Sequence, residues 1–240
     1  MPGIADVAAP VAAPSPDDVA TLIYTSGTTG NPKGVRLSHD NIVSNVLAGN
    51  AHAFGGLFNH DDRSLSLLPW AHVLGQTCEL HLMMSLGGSF AITSPDRVLL
   101  DVKEVRPSVL VGVPVLYGKI FDGIHRKVGE ATGVRAALIR WALRTAKRRR
   151  KALDAVISSS MASATASASD AGFRTRMATG ELLPPLSPVR YAWALADRLV
   201  LSQIKRALGG RLRVCLAGGA ATPFDVQQFF TDIGVPLIEG

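Results

Sequence analysis

The chain has 240 residues, 47% of them hydrophobic, which is enough for a sizeable core within one large domain. Polar residues and glycines interrupt the longest apolar stretch, Leu65–Ile92, so the sequence predicts no membrane-spanning helix. The net charge of +6 arises from Arg140–Lys151, which holds seven cations and no acid. A basic surface over the whole fold, and with it nucleic-acid binding, is therefore not expected.

The first 17 residues are rich in alanine and proline and contain no lysine or arginine. They lack the charged start and apolar block of a signal peptide and the arginines of a transit peptide. We therefore expect a linker at 1–17 and a folded domain at 18–240. The sequence does not identify the compartment; an intracellular one, cytoplasmic or membrane-associated, is the favoured interpretation.

An ordered series of hydroxyls, glycines and one lysine follows the first predicted strand, Val19–Tyr24. The residues from Thr25 to Lys33 read TSGTTGNPK. Glycines allow tight turns, successive loop N–H groups can converge on an anion, and the hydroxyls and Lys33 add donors. The spacing is not that of the Walker A loop, because Asn31-Pro32 separates Gly30 from the lysine. A flexible surface turn is the alternative, but the ordered residue types predict a polyphosphate-binding loop.

The rest of the chain alternates between predicted strands and helices. The further strands are Val35–Leu37, Ser64–Leu68, Ser89–Thr93, Ser108–Val111 and Arg213–Ala217. The helices are Asp40–Ala53, Val73–Leu86, Val98–Val105, Pro114–Val128, Val189–Leu208 and Thr222–Ile233. Ser38 and Thr222 are predicted N-caps, with Pro223 as a first helical residue. This alternation predicts an α/β fold, with a layered, largely parallel sheet flanked by helices.

The middle of the chain departs from this pattern. Ser158–Gly172 is a low-complexity serine and alanine segment, and we expect a mobile surface insertion at about 147–186. The basic segment Arg140–Lys151 could lie on anionic lipid as an amphipathic helix, or contact nucleic acid or the phosphates of a small ligand. A solvated helix end that leads into a disordered loop is the favoured interpretation.

Cys78 and Cys215 lie in apolar segments without a CxxC partner, so both are expected to be buried free thiols. The six histidines form no ligand spacing, and no structural metal is expected. The sequence predicts no particular oligomeric state.

The segment YTSGTTGNPKG at 24–34 resembles the signature loop of the adenylate-forming (AMP-binding, acyl-CoA synthetase) superfamily. Further segments resemble its long-chain fatty acid–CoA ligase branch, in the family's order. They are Leu68–Thr77, Val113–Ile120, Gly209–Arg213, and Ala217–Ala220 followed by Phe229-Phe230. The resemblance covers about Asp18 to Gly240 apart from the middle insertion, and it implies an incomplete large domain of an adenylate-forming enzyme.

The resemblance implies ATP-dependent activation of a long-chain fatty acid to acyl-AMP, followed by transfer to coenzyme A as co-substrate. Such a reaction joins two anions, so stabilisation of the phosphates dominates the catalytic demand. Lys33 would act on the β- and γ-phosphates, Thr25 would help to hold Mg²⁺, and His72 could hydrogen-bond the fatty acid carboxylate. A partly buried structural histidine is the alternative for His72, and Trp70 is expected to pack rather than to gate. The nucleotide-binding positions implied are Thr25, Ser26, Gly27, Thr28, Thr29, Gly30, Lys33, Gly218, Gly219, Ala220, Glu239 and Gly240.

Several positions depart from the family pattern. Val115 stands where arginine is usual, Ala217 where serine is common, and Gly75 and Gln76 where many relatives have an aromatic residue and an acid. After Gly240 relatives continue with Tyr-Gly-x-Thr-Glu, so the fragment alone is expected to be inactive. Two alternatives stay open: another acid–CoA ligase or adenylating enzyme acting on an aryl, medium-chain or amino acid substrate, or a truncated, non-catalytic nucleotide-binding protein.

Overall fold

The computed structural model describes residues 13–25, 31–53, 58–162 and 187–239. The chain divides into two compact units, Met1–Asn45 and Val46–Gly240. We refer to them as the N-terminal unit and the sheet unit.

The N-terminal unit contains a β-hairpin and the start of a helix. Strand β1 (Val19–Thr25) pairs antiparallel with β2 (Lys33–Ser38), and helix α1 (His39–Ala48) follows. Ser38 Oγ accepts a hydrogen bond from the Asn41 N–H at 3.2 Å, while Asn41 Oδ1 accepts one from the Ser38 N–H at 3.1 Å. This reciprocal pair satisfies donors at the helix start, which confirms Ser38 as an N-cap. A π-helical turn, Gly49–Ala53, continues the helix to its predicted end.

The sheet unit is built on five parallel strands. They are β3 (Arg63–Ser66), β4 (Ser89–Ile92), β5 (Val109–Gly112), β6 (Val214–Ala217) and β7 (Leu237–Glu239). Their order across the sheet is β4-β3-β5-β6-β7, and every neighbouring pair is parallel. All residues of β5 and β6 are buried, as expected for central strands covered on both faces. The predicted α/β fold with a parallel sheet is confirmed.

Helices connect the strands. Helix α2 is a helical run with a π-helical centre, formed by Val73–Gly75, Gln76–His81 and Leu82–Leu86. The next are α3 (Val98–Val105), α4 (Pro114–Gly129) and α5 (Gly133–Ala162). Helix α6 is a second composite run, Pro188–Ala196, Asp197–Leu201 and Ser202–Ala207, and α7 is Phe224–Asp232. Gly87 ends α2 with a φ of 68°, the left-handed conformation expected of a glycine after a helix.

The start of α7 differs from its prediction. Pro223 occupies the N-cap position with an extended ψ of 134°, and its carbonyl accepts the first intrahelical bonds. The Thr222 N–H instead donates to Glu239 Oε1 at 2.8 Å. Thr222 as the N-cap and Pro223 as the first helical residue are therefore wrong, because the Thr222 backbone is bound to the end of β7.

The core lies where α4 and α7 pack against the central strands. The hydroxyl of the fully buried Tyr117 lies 2.8 Å from both the Leu110 and the Leu216 carbonyl oxygens, and so bridges β5 and β6. Phe230 packs edge-on against the Tyr117 ring, with ring centroids 5.6 Å apart. Within the described residues both cysteines are free thiols, Cys215 buried and Cys78 half-buried. Burial raises both of their pKa values and keeps them protonated at neutral pH.

The basic segment Arg140–Lys151 lies in the middle of α5 and not at a helix end. The Arg149 guanidinium is buried and stacks over the Trp193 ring, 4.2 Å from its centroid. Arg150 donates to Asp232 Oδ1 at 2.8 Å. The favoured interpretation of a solvated helix end is therefore wrong, since these two arginines attach the segment to α6 and α7.

The predicted insertion at 147–186 overlaps this helix. Residues 147–162 are helical and include the buried Leu153, so this part does not form a loose surface segment. Residues 163–186 lie outside the described residues, and a surface insertion there stays a prediction. In the part of the chain that the structure describes, no helix has the length and apolar character needed to cross a bilayer.

Candidate functional site

The β1–β2 hairpin places Thr25 directly opposite Lys33. Both residues are exposed, and each stands at the open end of its strand. The predicted phosphate-binding residues between them, Ser26–Gly30, lie outside the described residues. The hairpin pairing thus brings the predicted Mg²⁺ ligand and the predicted phosphate-binding cation to neighbouring positions of the N-terminal unit.

A cleft of about 610 Å³ opens at the carboxyl edge of the sheet in the second unit. Three chain segments form it, and they follow β3, β5 and β6, which are neighbours in the sheet. The lining residues are Leu68, Pro69, His72, Leu74, Val113, Pro114, Val115, Gly118, Gly218, Gly219, Ala220, Ala221 and Pro223. Among these described residues His72 is the one polar side chain. The crevice beyond the carboxyl ends of parallel strands is where open α/β sheets bind ligands.

His72 lies in this cleft and also caps a helix. Its Nδ1 accepts a hydrogen bond from the Leu74 N–H at 3.2 Å, at the start of α2. Because Nδ1 is an acceptor, the neutral ring carries its proton on Nε2. The exposed imidazole can therefore donate one hydrogen bond to a carboxylate oxygen. The structural and the functional interpretation of His72 are compatible, because they use different ring nitrogens.

The predicted nucleotide-side turn after β6 forms the opposite part of the cleft lining. Gly219 has a φ of 85°, which a residue with a side chain rarely adopts. Glu239 lies at the end of β7, opposite Ala217 in the sheet register. Its carboxylate accepts hydrogen bonds from the Thr222 N–H and from Gln227 Nε2, each at 2.8 Å. These bonds hold the turn after β6 to the end of β7. Gly240 lies outside the described residues.

The positions that depart from the family pattern lie in different environments. Val115 lines the cleft and is 67% exposed, so it presents an apolar side chain where the resemblance implies an arginine. Ala217 is buried in the core and does not line the cleft. At Gly75 an added Cβ would lie 3.0 Å from both Leu68 Cβ and the Pro69 carbonyl oxygen. An aromatic residue at 75 would therefore displace the segment that forms one side of the cleft.

Sequence reasoning missed one buried polar group beside the cleft. Glu79 on α2 is fully buried, and its two carboxylate oxygens accept hydrogen bonds from Ser64 and Ser66 of β3. Burial raises the pKa of Glu79 to about 7, although the two serine hydrogen bonds act to lower it. The sequence did contain one sign of this buried polar site. Ser64 and Ser66 are two residues apart on a predicted strand, so both side chains lie on the same face of that strand.

Comparisons with known proteins agree with the fold and the motifs. The family model described as AMP-binding enzyme matches residues 3–240. A Mycobacterium tuberculosis protein named as a fatty-acid–CoA ligase, fadD11, is 34% identical over 227 residues, covering 93% of this chain and 35% of that protein. Long-chain-fatty-acid–CoA ligase 4 of Saccharomyces cerevisiae is 30% identical over 234 residues, covering 95% of this chain and 28% of that protein. The chain therefore spans about a third of the length of these relatives.

Similarity to a solved structure supports the assignment of the fold alone. Apo MatB from Rhodopseudomonas palustris matches with a TM-score of 0.52 at 22% identity, covering 97% of this chain and 30% of that one. The family match extends over nearly the whole chain and includes the hairpin, the cleft and the turn after β6. The resemblance seen in the motifs is thereby confirmed, and the chain belongs to the AMP-binding enzyme family.

Proposed function

We propose that the chain is part of a ligase that activates a long-chain fatty acid. In the first step a carboxylate oxygen attacks the α-phosphorus of ATP and pyrophosphate leaves, giving acyl-AMP. In the second step the sulfur of coenzyme A attacks the acyl carbon, AMP leaves, and the thiol proton is released. The names of the relatives support this reaction, and the observation that carries the substrate class is the apolar cleft with a single imidazole.

For the nucleotide we propose separate roles in each unit. Lys33 provides a compact positive charge for the β- and γ-phosphates. Hydroxyl and backbone N–H donors for the same phosphates would come from Ser26, Gly27, Thr28, Thr29 and Gly30. The Thr25 hydroxyl is a hard oxygen ligand of the kind that Mg²⁺ accepts, so the residue fits that ion, which would neutralise phosphate charge when bound. In the sheet unit Gly218, Gly219 and Ala220 would contact the adenine face. Glu239 would hold that turn in place, and Gly240 would adjoin the nucleotide.

For the acid we propose that the cleft holds the alkyl chain and that His72 Nε2 donates to the carboxylate. Burial of methylene groups against Leu68, Val113 and Val115 would stabilise the complex by about 0.8 kcal/mol for each group. No lysine or arginine is among the described residues that line the cleft. A second carboxylate or an ammonium group on the substrate would therefore be buried without a charged partner, and such acids are expected to bind poorly.

A panel of carboxylic acids tests this function. In the full-length protein we expect ATP–pyrophosphate exchange and thioester formation with long-chain fatty acids at higher kcat/KM than with benzoate, medium-chain or amino acids. A preference for an aryl or amino acid would favour the other adenylating enzymes. Nucleotide binding without exchange for any acid would favour a non-catalytic protein. Because the chain spans about a third of its relatives, we propose that the 240 residues alone give no exchange, and the same assay on them tests this.

As a partner we propose an anionic lipid surface that contacts α5. Four exposed cations, Arg140, Arg144, Arg148 and Lys151, follow one another at spacings of four, four and three residues, and so share one helix face. Each cation near an anionic bilayer contributes about 1 kcal/mol. In liposome sedimentation, reversal of the three arginines to glutamate should abolish binding to anionic vesicles, while Arg126→Glu/Lys127→Glu on α4 should not. Equal binding by both variants, or equal binding to neutral vesicles, would refute this contact.

A further inference from the structure

Glu79 is a buried carboxylate that the proposed function does not use. It is 0% exposed, and its carboxylate contacts β3 through two short hydrogen bonds. Ser64 Oγ donates to Oε1 at 2.6 Å, and Ser66 Oγ donates to Oε2 at 2.7 Å. Within the part of the chain that the structure describes, no cation pairs with this carboxylate.

The hydrogen bonds continue from Ser66 to the cleft. Trp70 Nε1 donates to Ser66 Oγ at 3.1 Å. The serine hydroxyl thus gives its one hydrogen to Glu79 and receives the indole N–H on a lone pair. Donation to a carboxylate polarises the hydroxyl oxygen and strengthens the bond that it accepts. Glu79 is therefore connected to Trp70 by two consecutive hydrogen bonds.

Trp70 belongs to the turn that carries His72. The His72 N–H donates to the Pro69 carbonyl oxygen at 2.9 Å and closes this turn around Trp70. Pro69 and His72 both line the cleft, and the Trp70 ring packs edge-on against Phe90 of β4, with centroids 5.1 Å apart. The indole is consequently fixed on one side by packing and on the other by its bond to Ser66.

Stability alone does not account for a carboxylate at position 79. Transfer of an ionised carboxylate from water to the protein interior costs several kcal/mol. Buried ionic groups can often be replaced by apolar residues of similar volume without loss of stability. Burial raises the pKa of Glu79 to about 7, which shows that its ionised form is disfavoured there in spite of two hydrogen bonds. A role in orienting the neighbouring turn gives the carboxylate a function that an apolar residue could not supply.

We propose that Glu79 is a positioning residue for the acid-binding side of the cleft, acting through Ser66 and Trp70 on the turn that presents His72. The part that concerns substrate rests on the proposed function. The part that concerns the turn does not, because it can be observed in the 240-residue chain without any reaction.

The first test is nuclear magnetic resonance of the chain with ¹⁵N-labelled tryptophan and a labelled backbone. The indole signals of Trp70, Trp141 and Trp193 are assigned with Trp70→Phe. We expect Glu79→Gln and Ser66→Ala to shift the Trp70 indole proton upfield and to move the amide signals of residues 70–72. Trp141 and Trp193 should stay unchanged, and the matched control Ser64→Ala should have the smaller effect, since Ser64 does not contact Trp70. Unchanged Trp70 and His72 signals in Glu79→Gln would overturn the proposal, whatever the effect of Ser66→Ala.

The second test is a double-mutant cycle in the ligase reaction of the full-length protein. Glu79→Gln is expected to raise KM for the fatty acid about tenfold, as for the loss of one hydrogen bond, with KM for ATP unchanged. In a His72→Ala background the same substitution should have no further effect, because Glu79 acts through that turn. Equal effects in both backgrounds would show a general structural role and refute the proposal.

The two tests remain decisive if a variant or the reaction fails. Should Glu79→Gln not fold, Glu79→Asp serves in both measurements, since it withdraws the carboxylate from Ser66 by one methylene group and leaves the bond between Ser66 and Trp70 in place. If no acid is activated at all, the proposed function fails. The resonances of Trp70 and His72 then still decide whether Glu79 positions the turn.

Discussion

Asp62 and Arg213 form an ion pair across the amino edge of the sheet. Arg213 Nη2 donates to both carboxylate oxygens of the buried Asp62, at 2.7 and 2.8 Å. Ser108 Oγ also donates to Asp62, at 2.5 Å. Because Asp62, Ser108 and Arg213 precede β3, β5 and β6, this one carboxylate connects the starts of three neighbouring strands.

We predict that Asp62→Ala lowers the free energy of unfolding by about 3 kcal/mol, since it removes a buried carboxylate that accepts hydrogen bonds from Arg213, Ser108 and the Asn59 N–H. Urea unfolding measures this change. The matched control is Asp61→Ala, at an exposed neighbouring residue, for which a change within about 0.5 kcal/mol is expected. Equal stability of the two variants would contradict the assigned role.

The pair of Asp62 and Arg213 also predicts that the stability of the fold depends on pH in the acid range. Burial acts to raise the pKa of Asp62, but hydrogen bonds from Arg213, Ser108 and the Asn59 N–H outweigh it, and the pKa is lowered. A lowered pKa in the folded state means that the stabilisation is present above the ordinary carboxyl pKa and is lost as the pH falls through the lowered value. The stability difference between the native protein and Asp62→Ala should therefore shrink on acidification. A difference that does not change with pH would contradict this.

For Glu79 we predict the opposite dependence of stability on pH. Its pKa is raised to about 7, so the folded state binds its proton more tightly than the unfolded chain does. The associated stability is fully present below the ordinary glutamate pKa and is lost as the pH rises through about 7, amounting to about 3 kcal/mol in total. Cys78 and Tyr117, the other titratable groups that interact with it, have raised pKa values and stay protonated over this range.

Denaturant unfolding of the native protein and Glu79→Gln between pH 5 and about 8 checks the Glu79 prediction. The native protein should lose stability relative to the variant across this interval. Parallel stability curves would show that the carboxylate does not titrate in the folded state.

The features that the sequence predicted correctly are those set by residues close together in the chain. The apolar spacing of Val98–Val105 gave the bounds of α3 as observed. The placement of the turn after β6 beside the cleft also followed from the alternation of strands and helices. In contrast, the stacking of Arg149 on Trp193 joins residues far apart in the chain, so no local pattern could indicate it. The bond from Thr222 to Glu239 depends likewise on which segments meet in space.

Lys33→Ala is predicted to lower kcat for acyl-adenylate formation about 100-fold, with a smaller effect on KM for ATP, because its charge acts where negative charge accumulates in the transition state. Pyrophosphate exchange by the full-length protein at saturating ATP measures the change. Arg36→Ala, at an exposed cation on the same strand, is the matched control. If Lys33→Ala retains normal acyl-adenylate formation, Lys33 does not have the proposed role.

In the full-length protein Val115→Arg is predicted to raise KM for long-chain fatty acids about tenfold, because a guanidinium would stand beside a proposed alkyl site. Its stability should change by no more than about 0.5 kcal/mol, since Val115 is 67% exposed. The control is the same substitution at Val134, which is 86% exposed on α5 and outside the cleft. An unchanged KM would place the alkyl chain elsewhere.

The central strands β5 and β6 pair directly, although about one hundred residues separate them in the chain. A large loop must close before the middle of the sheet exists, and this loss of chain entropy is incurred before the pairing can compensate for it. Refolding should therefore be slow, with the apolar strand Val109–Gly112 left open to intermolecular association in the meantime. The yield of soluble, refolded protein after dilution from denaturant should fall as the protein concentration rises.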